Sequence, residues 1–169
     1  MTPNFQPDFA DVKAGFRTLD RGEYELALGQ PKGFAYTKDD GTEVAGVRVP
    51  CNVVGQVMAD GSMDDKYEGD AVAPIRLYLH TEGAFRMTKQ FLLAANGYDI
   101  SDEDTADSEF FSEADFAFDV DEESDEERPE VTLGKTWDAL KGNRVRVTAD
   151  IQMYNDRPSQ NWQTWLPIK

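Results

Sequence analysis

Alternating hydrophobic and polar residues predict five β-strands along this chain. In the first, Tyr24, Leu26 and Leu28 alternate with charged or small residues, which is the period of a half-buried strand. Comparable patterns predict strands over residues 21–28, 44–58, 72–80, 143–154 and 159–168. The second of these is rich in valine, and we expect it to bend or bulge at Pro50 or Gly55.

The period changes between the third and fourth predicted strands. Phe85, Phe91, Leu92 and Ala95 recur at helical spacing, and Asn96-Gly97 is a typical helix stop, so we predict a helix over residues 84–96. Three strands, a helix and two strands are the plan of a mainly β, five-stranded OB-fold-like barrel with one helix between strands three and four. An unrelated sandwich or an α+β domain is the alternative fold.

The net charge of −16 is concentrated in one segment. Residues 99–130 hold 16 of the 33 Asp and Glu residues but only one of the 17 Lys and Arg residues, so the rest of the chain is nearly balanced. We therefore expect an N-terminal arm over residues 1–14 and an OB-fold domain over residues 15–169. An acidic, largely disordered insertion over residues 99–130 interrupts that domain. A balanced body leaves room for a local basic groove.

Several kinds of chemistry find no support in the sequence. Cys51 and His80 are the only residues of their types, which excludes an intramolecular disulfide and a Cys-rich or His-rich zinc site. Cys51 lies in an apolar run and is expected to be a small buried hydrophobe. Gly134-Lys135-Thr136 lacks the upstream glycine of a phosphate loop, and no calcium-binding loop is complete. We expect no enzymatic activity, no metal and no cofactor.

The chain also lacks the marks of a membrane or secreted protein. No apolar run approaches the ~18 residues of a membrane span, and the N-terminus does not resemble a signal peptide. We expect a cytosolic protein with no membrane partner.

The end of the chain carries a family resemblance. Residues 137–147 (WDALKGNRVRV), 154–157 (YNDR) and 161–167 (NWQTWLP) resemble the closing hairpin of phage-encoded single-stranded DNA-binding proteins. Residues 19–28, with Gly22-Glu23-Tyr24, and residues 91–98 are similar to the first strand and the helix of that family. The resemblance implies an OB-fold that binds single-stranded DNA during phage DNA replication or recombination, in the cytoplasm of the infected bacterial host. Such proteins often end in an acidic tail, whereas the acidic run here is internal.

A single-stranded nucleic acid offers a charged backbone and exposed base faces, so a binder needs basic side chains along a groove and aromatic rings for stacking. The candidate nucleic-acid-binding residues are therefore the basic and aromatic residues in three places. They lie on the polar faces of the predicted strands, beside the last hairpin, and in the stretch beyond the first strand, where basic and aromatic residues alternate and share one face if the stretch is extended. They are Lys32, Phe34, Tyr36, Lys38, Arg76, Tyr78, Arg144, Arg146, Tyr154, Arg157 and Trp162. Arginines that alternate along a strand are, in the alternative interpretation, simply a solvated face.

The sequence also predicts which of four aromatic residues lie in the core. Trp162 and Trp165 are three positions apart, which places them on opposite faces of a straight strand. We expect Trp165 in the core and Trp162 exposed. Tyr24 and Trp137 are expected to be core residues.

The acidic insertion has three interpretations. It is a solvated loop, or it covers the protein's own groove by imitating phosphates with carboxylates and bases with phenyl rings, or it docks a basic partner. The imitating rings would be those of Phe110, Phe111, Phe116 and Phe118. A basic partner would be a phage or host replication or recombination protein, such as a helicase, polymerase or recombinase. Two alternatives from other functional classes are an acidic DNA mimic that inhibits a nucleic-acid-binding partner and a virion structural protein. Assembly into a homodimer also stays open.

Overall fold

One long strand organises an antiparallel sheet of nine strands in the computed structural model, which describes residues 16–101, 119–120, 131–132 and 135–168. The predicted N-terminal arm and most of the predicted acidic insertion lie outside these residues. The strands are β1 (Gly22–Leu28), β2 (Lys32–Thr37), β3 (Glu43–Val57), β4 (Met63–Asp64), β5 (Ala71–Tyr78), β6 (Asp119–Val120), β7 (Val131–Thr132), β8 (Arg144–Tyr154) and β9 (Arg157–Leu166). The helices are α1 (Glu82–Ala95) and α2 (Lys135–Asp138).

Strand β3 has four partners because it is 15 residues long and its pairing register shifts at two places. The sheet order is β6-β7-β2-β3-β1-β8-β9, and β4 and β5 also pair with β3. The β3–β5 register shifts between Val49 and Cys51, as a bulge at Pro50 predicts, and the β1–β3 register shifts opposite Val53 and Gly55. These two irregularities allow different parts of β3 to meet different partners.

The predicted fold class is confirmed at the level of a mainly β protein with an antiparallel sheet. The predicted position of the helix is wrong, because α1 follows β5, the fifth strand, and not the third. The two unpredicted strands that precede the helix are Lys32–Thr37 and Met63–Asp64. Neither presents a buried face and a solvated face, so neither produces the alternation that reveals a strand in sequence. Among the described residues no ladder joins β5 to β9, and the sheet is open along this seam.

The core lies between the inner faces of the bent sheet and one side of α1. Tyr24, Phe91 and Trp137 are fully buried, as expected for Tyr24 and Trp137. Burial raises the pKa of the Cys51 thiol to about 12, so this side chain is a neutral hydrophobe at ordinary pH. Because one set of residues on these strands points into the core, the residues that alternate with them point outward. Some of these outward residues on β2, β3 and β5 form the candidate site.

Helix α1 packs against β5, β8 and β9. Its N-cap Thr81 accepts a hydrogen bond from the Ala84 N–H at 3.1 Å, and Gly97 follows its end at φ +82°, a conformation that glycine adopts without strain. No helix among the described residues has the length and apolar character needed to cross a bilayer.

Candidate nucleic-acid interface

Three basic residues from three neighbouring strands form a row on the outer face of the sheet. Lys32 of β2 is the cross-strand partner of Arg48 of β3, and Arg48 is the cross-strand partner of Arg76 of β5. Their neighbours Val47, Val49, Ile75 and Leu77 are buried, so the period of two along each strand turns the basic side chains outward. We call Lys32, Arg48 and Arg76 the cation row.

The positive charges of this row are not neutralised within the described part of the chain. None of the three side chains forms a salt bridge there, whereas five other basic residues do. Like charges placed directly opposite each other destabilise a sheet. The row is therefore an unfavourable arrangement for the isolated fold and a favourable one for an anionic ligand.

Aromatic rings lie beside the cation row on the same face. Phe34 of β2 and Tyr78 of β5 are both cross-strand partners of Gly46, which lies between them on β3. The Phe34 ring is 5.8 Å from the Tyr78 ring at 84° and 6.2 Å from the Tyr36 ring at 21°, measured between centroids. These three rings form an aromatic cluster at the surface.

Gly46 makes this arrangement possible because its lack of a side chain leaves space for the Phe34 ring. A Cβ atom at position 46 would lie 2.5 Å from Phe34 Cζ and 2.6 Å from the Leu77 carbonyl oxygen. Any other residue would displace the ring or the backbone of β5. Because Gly46 has no side chain, the Phe34 ring lies directly against β3, where it makes an edge-to-face contact with the Tyr78 ring.

The two groups of side chains meet in one shallow recess. The Arg48 guanidinium carbon is 6.0 Å from the centre of the Phe34 ring, within the range of a cation–π contact. Phe34, Tyr36, Arg48, Arg76 and Tyr78 together line a recess of about 160 Å³. We call these five residues and Lys32 the cation–aromatic patch. No family model matches the chain, and no curated protein matches it. Function is therefore inferred from the chemistry of the patch itself.

The patch unites five of the residues selected from the sequence, namely Lys32, Phe34, Tyr36, Arg76 and Tyr78. Lys38 lies just beyond β2 and is exposed; its N–H donates to the Thr42 carbonyl at 2.8 Å in the turn that leads to β3. Sequence reasoning missed Arg48. Its signal was present, since Arg48 stands between Val47 and Val49 in the same way that Arg76 stands between Ile75 and Leu77.

Arg144 and Arg146 lie elsewhere, on β8, and their charges are paired. Arg144 Nη1 is 3.3 Å from Glu25 Oε1, and Arg146 Nε is 3.3 Å from Glu23 Oε1. Both glutamates belong to β1, the neighbouring strand. The two arginines thus link β8 to β1, and the structure does not bring them together with the patch.

Tyr154 and Arg157 lie at the tip of the β8–β9 hairpin. Asn155 and Asp156 connect the two strands with positive φ angles of 49° and 62°, as a tight two-residue hairpin turn requires. Arg157 is exposed, and the side chain of Tyr154 lies outside the described residues. The hairpin leads into Trp162, the last of the residues selected from the sequence.

Trp162 and Trp165 both face the core side of the sheet, so the expectation of opposite faces is wrong. Trp162 is the cross-strand partner of Ala149 and Trp165 that of Val147, and both partners are buried. Gln163 and Thr164 together stand opposite Thr148, which forms a bulge and shifts the side-chain alternation by one residue. Trp165 is buried and Trp162 is half-buried, so Trp162 is still the more exposed of the two.

Two short strands, one within the predicted acidic insertion and one directly after it, lie beside the patch. Asp119–Val120 pairs with Val131–Thr132, and Val131 pairs with Gly33 of β2. Gly33 lies between Lys32 and Phe34, two members of the patch. Among the described residues, the chain thus returns from its acidic stretch directly at the edge of the cationic face.

Proposed function

We propose that this protein binds single-stranded DNA, largely without regard to sequence, through the cation–aromatic patch. The observation that carries the proposal is the unneutralised row of Lys32, Arg48 and Arg76 next to three surface rings. Basic side chains hold the phosphates of a single strand, and rings stack on its bases with about 1–3 kcal/mol per base whatever the base is. Both kinds of group occur here on one open sheet face.

The strand pairing supports an OB-like architecture for this binder. Strands β5, β3, β1, β8 and β9 are neighbours in that order, and the seam between β5 and β9 is open. The OB-fold is a partly open five-stranded barrel that binds oligonucleotides on the face of its second and third strands. If β3 and β5 have these places, the patch lies where that fold binds its ligand. We propose that the fold is such a barrel, widened by β2.

The spacing of the cation row suits an extended polyanion. Neighbouring strands are about 4.8 Å apart, so the row presents three positive charges over about 10 Å. Each neutralised phosphate of a single strand releases condensed counterions and contributes about 0.7 to the slope of log affinity against log salt. Three contacts therefore predict a slope of about −2.

A titration of fluorescent oligo-dT at low and moderate salt tests the proposal. We expect anisotropy to rise on binding, with an affinity that falls by about two log units per tenfold increase in salt. Oligo-dT and mixed-sequence oligonucleotides should bind with similar affinity. Absence of binding at low salt would reject the proposal.

A role in phage DNA replication or recombination, within the infected bacterial host, is part of the same proposal. It is supported by the resemblance of residues 137–167 to the closing hairpin of phage single-stranded DNA-binding proteins. Strand exchange or polymerase assays with the purified chain test this role. We expect the protein to stimulate these reactions by keeping the template unpaired, without hydrolysing or joining any bond itself.

The net charge of −16 favours a second candidate, an acidic protein that inhibits a nucleic-acid-binding partner. In this case the acidic stretch would occupy the partner's DNA site. The candidate predicts no affinity for oligonucleotides and tight binding to a basic protein. The oligo-dT titration therefore separates the two functions in one experiment.

A further inference from the structure

A second cavity continues from the patch into the open seam of the sheet. It lies between α1, β5 and β9 and has a volume of about 570 Å³, within the range of about 300–1,000 Å³ that is usual for small-molecule sites. Pro74, Met87, Trp162 and Trp165 contribute apolar walls. We call it the seam cleft.

The seam cleft and the recess of the patch share Arg48, Arg76 and Tyr78 in their linings. The same two guanidinium groups thus border both spaces.

Trp165 lines the cleft and carries an unused hydrogen-bond donor. The residue is only 5% exposed, and its Nε1–H is buried with no hydrogen-bond partner among the described residues. Its ring is fixed by an edge-to-face contact with Phe91, at 5.1 Å and 83°. Buried donors are normally satisfied, so an orphan in the wall of a cavity indicates a site for an acceptor atom.

We propose that the seam cleft receives one nucleobase of the bound strand. The Trp162 ring supports the face of the base, Trp165 Nε1–H donates to an acceptor atom on its edge, and Arg48 and Arg76 hold the adjoining phosphate. A planar, largely apolar ring with acceptor atoms at its edge matches a cleft that combines apolar walls with two guanidinium groups and an unpartnered indole N–H. Because every base carries such an acceptor, the cleft fixes the register of the strand without selecting its sequence. This inference rests on the proposed function.

The test uses the shortest oligo-dT that retains full affinity, because a longer strand could shift its register. One abasic nucleotide is placed at each position in turn, and affinity is measured for the full chain. We expect one position at which loss of the base weakens binding about tenfold, the scale of one stacked base. This positional effect should disappear in Trp162→Ala and in Trp165→Phe, which keeps an apolar ring but lacks the donor.

Phe34→Ala is the matched control, because it removes a ring of the patch and leaves the cleft intact. It should weaken binding of every oligonucleotide and preserve the sensitive position. Trp162 is half-buried, so Trp162→Ala keeps the test valid if Trp165→Phe does not fold. Oligonucleotide binding with no sensitive position, unchanged in Trp162→Ala, would overturn the inference and leave the proposed function intact. Absence of binding to any oligonucleotide would overturn both.

Discussion

Arg48 and Arg76 are direct cross-strand partners on the outer face of the sheet, with no carboxylate paired to either one in the described part of the chain. On the other side of Arg48, Lys32 is its partner. By contrast, Arg144 and Arg146 each have a glutamate of β1 within 3.3 Å. The two regions of the sheet use arginine differently: the pairs between β1 and β8 link two strands, whereas the cation row has no carboxylate partner among the described residues.

The first prediction concerns the stability of the unliganded protein. Arg76→Gln should leave the free energy of unfolding unchanged or raise it by up to about 1 kcal/mol, because it relieves a like-charge cross-strand contact and leaves the Arg48–Phe34 cation–π contact in place. Arg146→Gln should lower it by about 0.2–1 kcal/mol, because it breaks a partly exposed pair with Glu23. Urea unfolding at low salt measures both effects. A clear loss of stability in Arg76→Gln would contradict this account of the row.

The second prediction concerns Gly46. Gly46→Ala should displace the Phe34 ring, lower the free energy of unfolding by about 1–3 kcal/mol through overpacking, and weaken oligo-dT binding. Gly55→Ala on the same strand is the matched control, since its Cβ would meet the flexible end of Met63, at 2.8 Å from Cε. Wild-type DNA affinity in Gly46→Ala would show that the Phe34 position is not needed for binding.

The third prediction concerns the acidic insertion, whose residues 102–118 lie outside the described part of the chain. These residues carry seven carboxylates and no basic side chain. Changing all seven to amides should tighten oligo-dT binding at low salt, because it removes negative charge from the segment that precedes β6, and β6 is joined through β7 to β2 beside Lys32. The gain should vanish at high salt, where charges are screened. An equal gain at both salt concentrations would exclude an electrostatic origin.

A matched variant distinguishes the effect of the carboxylates on oligo-dT binding from the effect of the phenyl rings in that segment. Changing Phe110, Phe111, Phe116 and Phe118 to serine keeps every carboxylate. If the rings imitate bases in the groove, this variant should also bind oligo-dT more tightly than wild type. If only the charge matters, its affinity should equal that of wild type at every salt concentration.

The fourth prediction concerns alkaline pH. Burial raises the pKa of Cys51 from near 9 to about 12, and it is also the main cause that raises the pKa of Tyr24 from near 10 to about 12. Both groups favour the folded state in their neutral form, so their contribution is complete below pH 9 and is lost as pH rises towards 12. Cys51→Ala should make this decline shallower in urea unfolding at several pH values. An identical pH dependence in the variant would contradict the buried neutral thiol.

The sequence revealed the strands that have one buried and one solvated face, such as β1, β5 and β8. Strand β2 escaped prediction as a strand because its residues are exposed or half-buried on both sides and show no alternation in burial. The bulge at Gln163 and Thr164 also escaped, since it depends on pairing with Thr148 and leaves no local signal. It reversed the expected side of Trp162.

The kinds of residue in the candidate site could be predicted from the sequence, but which of them come together in the fold could not. The spacing from Arg76 to Tyr78 indicated one face of a predicted strand, and the spacing from Lys32 to Tyr36 indicated one face if that segment is extended. Only the register with β3 brings the two together around Gly46. Likewise, Arg144 meets Glu25, which is 119 positions away in sequence, only because β8 lies beside β1. Which strands are neighbours decides whether an arginine is paired or available.

The central claim is that the cation row binds a single strand, and one comparison tests it most directly. Arg48→Gln/Arg76→Gln and Arg144→Gln/Arg146→Gln change the same number of charges in two different regions of the sheet. Oligo-dT binding is measured for both double variants across a range of salt concentrations. We expect the first variant to lose affinity at low salt and to lower the magnitude of the salt slope by about 1.4, and the second to keep the wild-type slope. Equal losses in both variants, or a full slope in the first, would contradict the claim.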